Sequence, residues 1–334
     1  MEQYGRALAE SHVLAPGRGT DQLLARLDEN EEALRAVWKQ LTAAVTHRQR
    51  ITPAGEWLLD NFYLIEEQIR LARRHLPKNY SRELPRLQSG PSAGQPRVYD
   101  LALQTIGHGD GRVDSDSLSR FVASYQTVSP LKLGELWAVP IMLRLAILEN
   151  LRRIGVRISA GFEERSLAGS WADQMTETAE RDPKGLILVV ADMARSAPPM
   201  TSPFVAELAR RLQGRGPALA LPLKWMEQHL SESGQTVEQL VRFEGQSQAS
   251  NQVTVSNSIG GLRVIGAMNW RGFVESLSVV EKELREDPQG AYVLMDFTTR
   301  DRYRHVVEAM ARRAKVAEAE VARARAQLRA GLLM

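Results

Sequence analysis

Between Thr52 and Pro77 the sequence leaves the backbone little choice. Leu58, Phe62, Ile65, Ile69, Ala72 and Leu76 recur at spacings of four and three, so all six fall on one stripe of an α-helix. Thr52 is a good N-cap, and Pro53 suits the first helical position, where its missing N–H would be unpaired anyway. Arg70, Arg73, Arg74 and His75 gather at the C-terminal end, where positive charge complements the helix dipole, and Pro77 stops the helix. Glu66 and Arg70 stand one turn apart in the favourable order. The turn at Arg82, Glu83 and Leu84 is expected to pack back on this helix, because Tyr80, Leu84 and Leu87 need cover.

The rest of the chain has a similar texture, and the fold class it predicts is all-α: an irregular multi-helix assembly built from helical hairpins, with a long C-terminal helix. Residues 1–20 are polar and contain Gly and Pro, and read as a loose segment. A first helical domain is expected over 21–155. It opens with one or two helices carrying Leu23, Leu27, Leu34, Val37 and Leu41. Residues 77–97 form an irregular excursion with four prolines, and helices follow at Val98–Gly107, at about Asp116–Val128 and at 130–155. The last is capped by Ser129 and Pro130 and strained by Pro140. A second helical subdomain is expected over 156–334, the two forming either separate domains or one continuous one. Within it, Arg181-Asp182-Pro183-Lys184-Gly185 resembles Glu286-Asp287-Pro288-Gln289-Gly290, and both read as hairpins whose second helix starts with an Asp cap and Pro. The polar, β-branched stretch 245–258 reads as loop with a helix starting near Ser256. From Thr298 onwards Val307, Met310, Ala314, Ala317, Val321, Ala324 and Leu328 alternate three and four, which predicts one helix about 45 Å long.

Composition narrows the classes. With 334 residues the chain can bury a large core, and 43% hydrophobic against 25% charged residues is an ordinary globular balance. It has no cysteine, so disulfides and Cys-ligated zinc are excluded. A diffuse net charge of +3 argues against a nucleic-acid partner. The longest apolar run, 133–148, is broken by Glu135, Pro140 and Arg144, so it does not read as a membrane span. The N-terminus carries Glu2 and Glu10 where a signal peptide would need an apolar core.

Motifs that could carry chemistry have plain structural readings beside them. Asp114-Ser115-Asp116 spells the D-x-D that holds a divalent metal on sugar nucleotides, but it follows the turn GHGDGRV rather than a strand, and reads as a helix cap. His108, Asp110 and Asp114 come nearest to a metal cluster, and no metal ligand is assigned. The carboxylate pairs Glu66/Glu67, Glu163/Glu164 and Asp296/Asp301 could hydrolyse a glycoside in principle, yet such pairs on helices are usually solvated or paired with Arg. No catalytic residue is assigned. The tryptophans at 57, 137, 171, 225 and 270 could stack on sugars, but their contexts read as core. The most polar dense segment is Asp296, Arg300, Asp301, Arg302 and Arg304, and the residues kept as interface or ligand candidates are its first four with Glu66, Arg70, Arg82, Glu83 and Trp137.

Four stretches resemble, in order, the N-terminal region of bacterial cyclic β-1,2-glucan synthases. They are AGEWLLDNF (54–62) running on through LIEEQIR (64–70) to YSRELP (80–85); GELWAVPIMLRLAILENLRR (134–153); NQVTVSNSIGGLRVIGAMNW (251–270); and REDPQGAYVLMDFTTRDRYRHVVE (285–308). The resemblance implies a large inner-membrane glycosyltransferase that polymerises glucose from UDP-glucose. The matched part precedes the transferase, and no catalytic segment of the family matches. It follows that this segment needs no cofactor of its own; UDP-glucose and a divalent metal belong to the parent enzyme. The implied role is a non-catalytic scaffold or regulator on the cytoplasmic side of the bacterial inner membrane. Its partner would be the transferase and membrane portion of the same or another chain, with the C-terminal helix near the membrane, where positive charge favours the cytoplasmic side. The alternatives are a free-standing helical adaptor, docking through its Ala-rich C-terminal stripe, and a glycan-active enzyme using a carboxylate pair.

Overall fold

The computed structural model describes residues 2–17, 19–78, 80–287 and 290–331, without the side chains of 326–331. The chain is all-α: 76% of it is helical, and the described residues form no strand. The helices are α1 Glu2–Ser11, α2 Leu23–Thr46, α3 Pro53–Asp60, α4 Phe62–His75, α5 Arg97–His108, α6 Ser115–Gln126, α7 Leu133–Arg181 and α8 Leu186–Arg195. They continue with α9 Ser202–Leu212, α10 Ala220–Glu232, α11 Val237–Ala267, α12 Trp270–Leu277, α13 Val279–Arg285, α14 Phe297–Ala314 and α15 Glu318–Gly331. Among the described residues no helix is long and apolar enough to cross a membrane.

Two compact units emerge, one of Met1–Asp28, Glu66–Asn150 and Asn257–Met334, the other of Glu29–Ile65 and Leu151–Ser256. Each gathers stretches distant in sequence.

In the first unit α1 packs on α6. Residues 2–11 are thus a docked helix rather than a loose segment. Gly5 makes this approach close, since a Cβ there would lie 2.9 Å from the Phe121 carbonyl oxygen. His12 ties the end of α1 down: its ring nitrogens lie 2.8 Å from the Tyr125 hydroxyl and 3.1 Å from Asp100 Oδ2. The 77–97 excursion is covered by residues 13–15, through a bridge between Leu14 and Leu87. The Arg86 guanidinium donates to the carbonyls of Thr20, Ser81 and Gly94, which holds three irregular segments together.

The second unit packs α7, α8, α9 and α10 around Met175, Leu186, Val190, Phe204, Leu208 and Met226. Trp171 and Trp225 lie against this core. Trp38 stacks on Phe62 with ring centroids 5.5 Å apart, while Trp57 is largely exposed. Arg165 pairs with Glu244 at 3.1 Å, and Ser202 shares that carboxylate.

Several helix boundaries differ from the reading above. The predicted 53–76 helix breaks at Asn61, whose side-chain amide donates to the Trp57 carbonyl. Its six stripe residues are nonetheless all buried. The helix expected to end at Gly155 runs on to Arg181, because Gly155 is a packing site in the second unit, against Val37 and Leu58. Pro140 is accommodated inside it. Residues 245–258 are helical throughout, within α11: Val255, Ile259, Leu262 and Ile265 are fully buried, and that burial outweighs weak intrinsic propensity. GLILVV is helix, but Asp182 bonds the Lys184 N–H and does not cap α8. Ala291–Met295 is a turn rather than a helix, and Asp296 caps α14; Pro288 and Gln289 lie outside the described residues. The long C-terminal helix is two helices. Lys315 adopts a left-handed conformation (φ 57°), and α15 packs on α13 and α14. Of the predicted stripe only Val307 is buried, the contacts having moved to Ala311 and Ala322, and Leu328 lies outside the described side chains.

Candidate functional site

Glu135 sits on the apolar stripe of α7 between Leu131 and Val139, where a carboxylate needs a buried partner. Arg97, at the start of α5, supplies it with two parallel bonds of 2.6 and 2.7 Å. The same guanidinium donates to Ser129 Oγ and the Pro130 carbonyl, both at 2.7 Å. Ser129 and Pro130 are therefore held by Arg97 and do not cap α7. The helix start is capped by two carboxylates instead. Glu135 accepts from the Lys132 N–H at 2.9 Å, and Glu318 accepts from the Leu133 N–H at 2.9 Å.

Around this start lies a groove of about 1450 Å³, walled by the segment after α1, the 77–85 excursion and the corner between α14 and α15. Apolar groups such as Leu84, Leu131 and Val280 share the lining with charged ones. Its carboxylates are all engaged. Glu83 and Glu308 accept from Arg312 at 3.2 and 3.1 Å, and Asp301 accepts from Arg304 at 3.0 Å. Burial pushes the Glu318 carboxyl up, and neighbouring Glu308 and Glu135 push it further. Burial likewise raises the Tyr80 hydroxyl, with Glu308 adding to it. Lys78, Arg82, Lys132 and Lys315 also line the groove, are exposed, and make no direct ion pair among the described residues, although Lys132 acts on the nearby Glu318 carboxyl and tempers its rise.

A second charge cluster ties α12, α13 and α14 together. Arg304 is fully buried and donates to Glu281 at 2.6 Å, Glu275 at 3.1 Å and Asp301 at 3.0 Å. Glu281 also accepts from Tyr292 at 2.7 Å and Arg285 at 2.8 Å. Burial alone would raise the Glu281 carboxyl, but the bonds from Tyr292, Arg304 and Arg285 outweigh it and hold it below the usual range.

Of the residues picked from sequence, Arg82, Glu83, Trp137 and Asp301 meet in the groove. Trp137 packs edge-on against Phe297 at 6.4 Å. Asp296 is the α14 cap, accepting from the Thr299 N–H at 2.7 Å, and that bond lowers its pKa. Arg300 pairs with Glu275, and Arg302 is exposed. Glu66 and Arg70 lie on α4 away from the groove lining. Of the carboxylates read as pairs, in the second unit Glu163 accepts from Gln40 and Glu164 from Thr201, and Asp296 and Asp301 have separate partners. Asp114 caps α6 through the Ser117 N–H at 2.9 Å, so the D-x-D is a helix start. Arg97, Glu135 and Glu281 do not stand out as ligand or interface candidates in the sequence, and Arg304 stands out only as a member of the polar 296–304 segment. For Glu135 the signal was present: a lone acid on an otherwise apolar helical stripe.

No protein-family model matches the chain. One curated relative aligns over almost all of it. The chain is similar to part of a cyclic beta-(1,2)-glucan synthase. The relative is NdvB of Rhizobium meliloti (strain 1021), 34% identical over 322 residues. The alignment takes in 96% of this chain and only 11% of the synthase, so the chain spans about a tenth of the length of the relative it matches. The resemblance read from the sequence is thereby borne out.

Proposed function

We propose that this chain serves cyclic β-1,2-glucan synthesis as a helical scaffold or regulatory segment that carries none of the glucosyl-transfer chemistry. The similarity along nearly the whole chain to a tenth of a glucan synthase carries the reading. The site geometry supports the non-catalytic part. Acids that might have done chemistry are committed to structure: Asp114 and Asp296 to helix caps, Glu135 to Arg97, and Glu281 to Arg304. On this reading UDP-glucose and its divalent metal are handled elsewhere in the synthase. The segment lies on the cytoplasmic side of the inner membrane and packs against the transferase and membrane portion.

Membranes bearing a synthase of this kind, with and without the stretch equivalent to this chain, should be supplied with radiolabelled UDP-glucose. Loss of cyclic glucan without the stretch, together with no transfer by the purified chain alone, is the expected result. Unchanged synthesis without the stretch would refute the reading, as would glucan made by the purified chain.

A further inference from the structure

The groove at the start of α7 carries a charge imbalance that the fold itself does not use. Its carboxylates Glu83, Glu135, Asp301, Glu308 and Glu318 are each satisfied by a neighbouring guanidinium or backbone N–H. Its four exposed cations, Lys78, Arg82, Lys132 and Lys315, make no direct ion pair among the described residues, and of them Lys132 alone acts on a groove acid, Glu318. They come from three separate segments: the excursion after α4, the residue before α7, and the turn between α14 and α15. The rim is thus positive while Leu84, Leu131 and Val280 make the floor apolar. At about 1450 Å³ the groove exceeds the roughly 300–1,000 Å³ of small-molecule pockets, which suits a chain-like occupant.

We propose that this groove docks an extended acidic peptide segment with interspersed apolar side chains, belonging to the transferase portion that the scaffold serves. Acidic side chains would answer the rim cations, and apolar ones would cover the floor. Complementary charge of this kind speeds encounter and rejects basic partners. The inference rests on the scaffold reading and adds the chemistry of the partner to it.

The test uses the full chain and fluorescein-labelled twelve-residue peptides of alternating Glu and Leu, alternating Lys and Leu, and Glu alone, followed by anisotropy. The Glu/Leu peptide should bind at least tenfold tighter than either of the others, and more weakly as salt rises. Charge reversal by Lys78→Glu, Arg82→Glu, Lys132→Glu and Lys315→Glu together should abolish that preference. Should the fourfold variant fail to fold, the pairs Lys78→Glu/Arg82→Glu and Lys132→Glu/Lys315→Glu should each weaken binding at least threefold. Equal binding of the Glu/Leu and Lys/Leu peptides would overturn the proposal, as would unchanged binding by the reversed variants. Displacement of the peptide by micromolar pyrophosphate would also overturn it, in favour of a small-anion site. If the synthase needs this stretch yet no acidic peptide binds, the groove proposal alone falls. If the synthase works without the stretch, the scaffold reading falls whatever the peptide does.

Discussion

Replacing Arg304 by Met tests whether the buried charges of α12–α14 hold that corner together. The substitution keeps most of the volume and removes the cation. Glu281 would then be left almost fully buried with two donors, Tyr292 at 2.7 Å and Arg285 at 2.8 Å, and with the Arg300 guanidinium 3.8 Å away. Deleting one member of a buried ion pair costs about 3–5 kcal/mol. The two surviving donors place Arg304→Met near the lower end, about 3 kcal/mol. Arg304→Met combined with Glu281→Gln removes both charges, so its cost should fall short of the sum of the singles by about 2 kcal/mol. The effect is local to one corner, so the readout is hydrogen exchange of α13 and α14 amides under urea. The pH dependence has a definite sign. The Glu281 carboxyl is held below its unfolded value, so its contribution is present above the ordinary carboxylate range of about 4.3 and is lost as pH falls through the lower folded value. Arg304→Met should therefore flatten the acid limb of exchange protection in α13. A cost under about 1 kcal/mol, or strict additivity in the double variant, would show that the cluster is not a coupled buried network.

Three further outcomes follow from the packing. Arg97→Met should lower the urea midpoint by the equivalent of about 3–5 kcal/mol, and adding Glu135→Met should recover most of it, because the second change removes the stranded carboxylate. Glu318 has the opposite pH sign to Glu281: its carboxyl is raised, so its favourable contribution is present below its unfolded pKa and is lost as pH rises through the folded value. Glu318→Gln should then gain on the wild type at pH 8 and not at pH 4, and a lower midpoint for Glu318→Gln at pH 8 would contradict this. In α11, Gly261→Ala should cost about 1–3 kcal/mol, since its Cβ would meet the Gly111 carbonyl oxygen at 2.8 Å. Gly260→Ala, whose Cβ meets nothing, should stabilise by up to about 1 kcal/mol. Thermal melts of the pair separate the two.

Much of the helix content could be read in advance because stripes such as Leu58, Phe62, Ile65, Ile69, Ala72 and Leu76 survive intact, even across the break at Asn61. What misled were glycines and polar residues taken as punctuation. Gly155 lies inside a helix where Val37 and Leu58 pack against it, and the 245–258 stretch lies inside one whose apolar residues, such as Val255, are buried; periodicity along one helix does not report its neighbours. The break at Lys315 had no local mark, since neither Gly nor Asn stands at the left-handed position. In the candidate site, Asp301 and Glu83 were visible as polar residues, but the burial of Arg304 was not. It depends on Glu275 and Glu281 arriving from α12 and α13, more than twenty residues earlier.

Arg86 carries a further consequence. Its charge is solvated by hydrogen bonds to three backbone carbonyls, of Thr20, Ser81 and Gly94, with the Asp21 carboxylate acting on it from nearby. Dissolved salt shields exposed ions from one another over about 10 Å at 0.1 M, but it reaches buried dipoles poorly. Raising the ionic strength should therefore weaken Arg312 on Glu83 and Arg73 on Asp28 while the knot around Arg86 persists. The 77–97 excursion, which looks like the softest part of the chain by its prolines and glycines, is on this account among its most halotolerant.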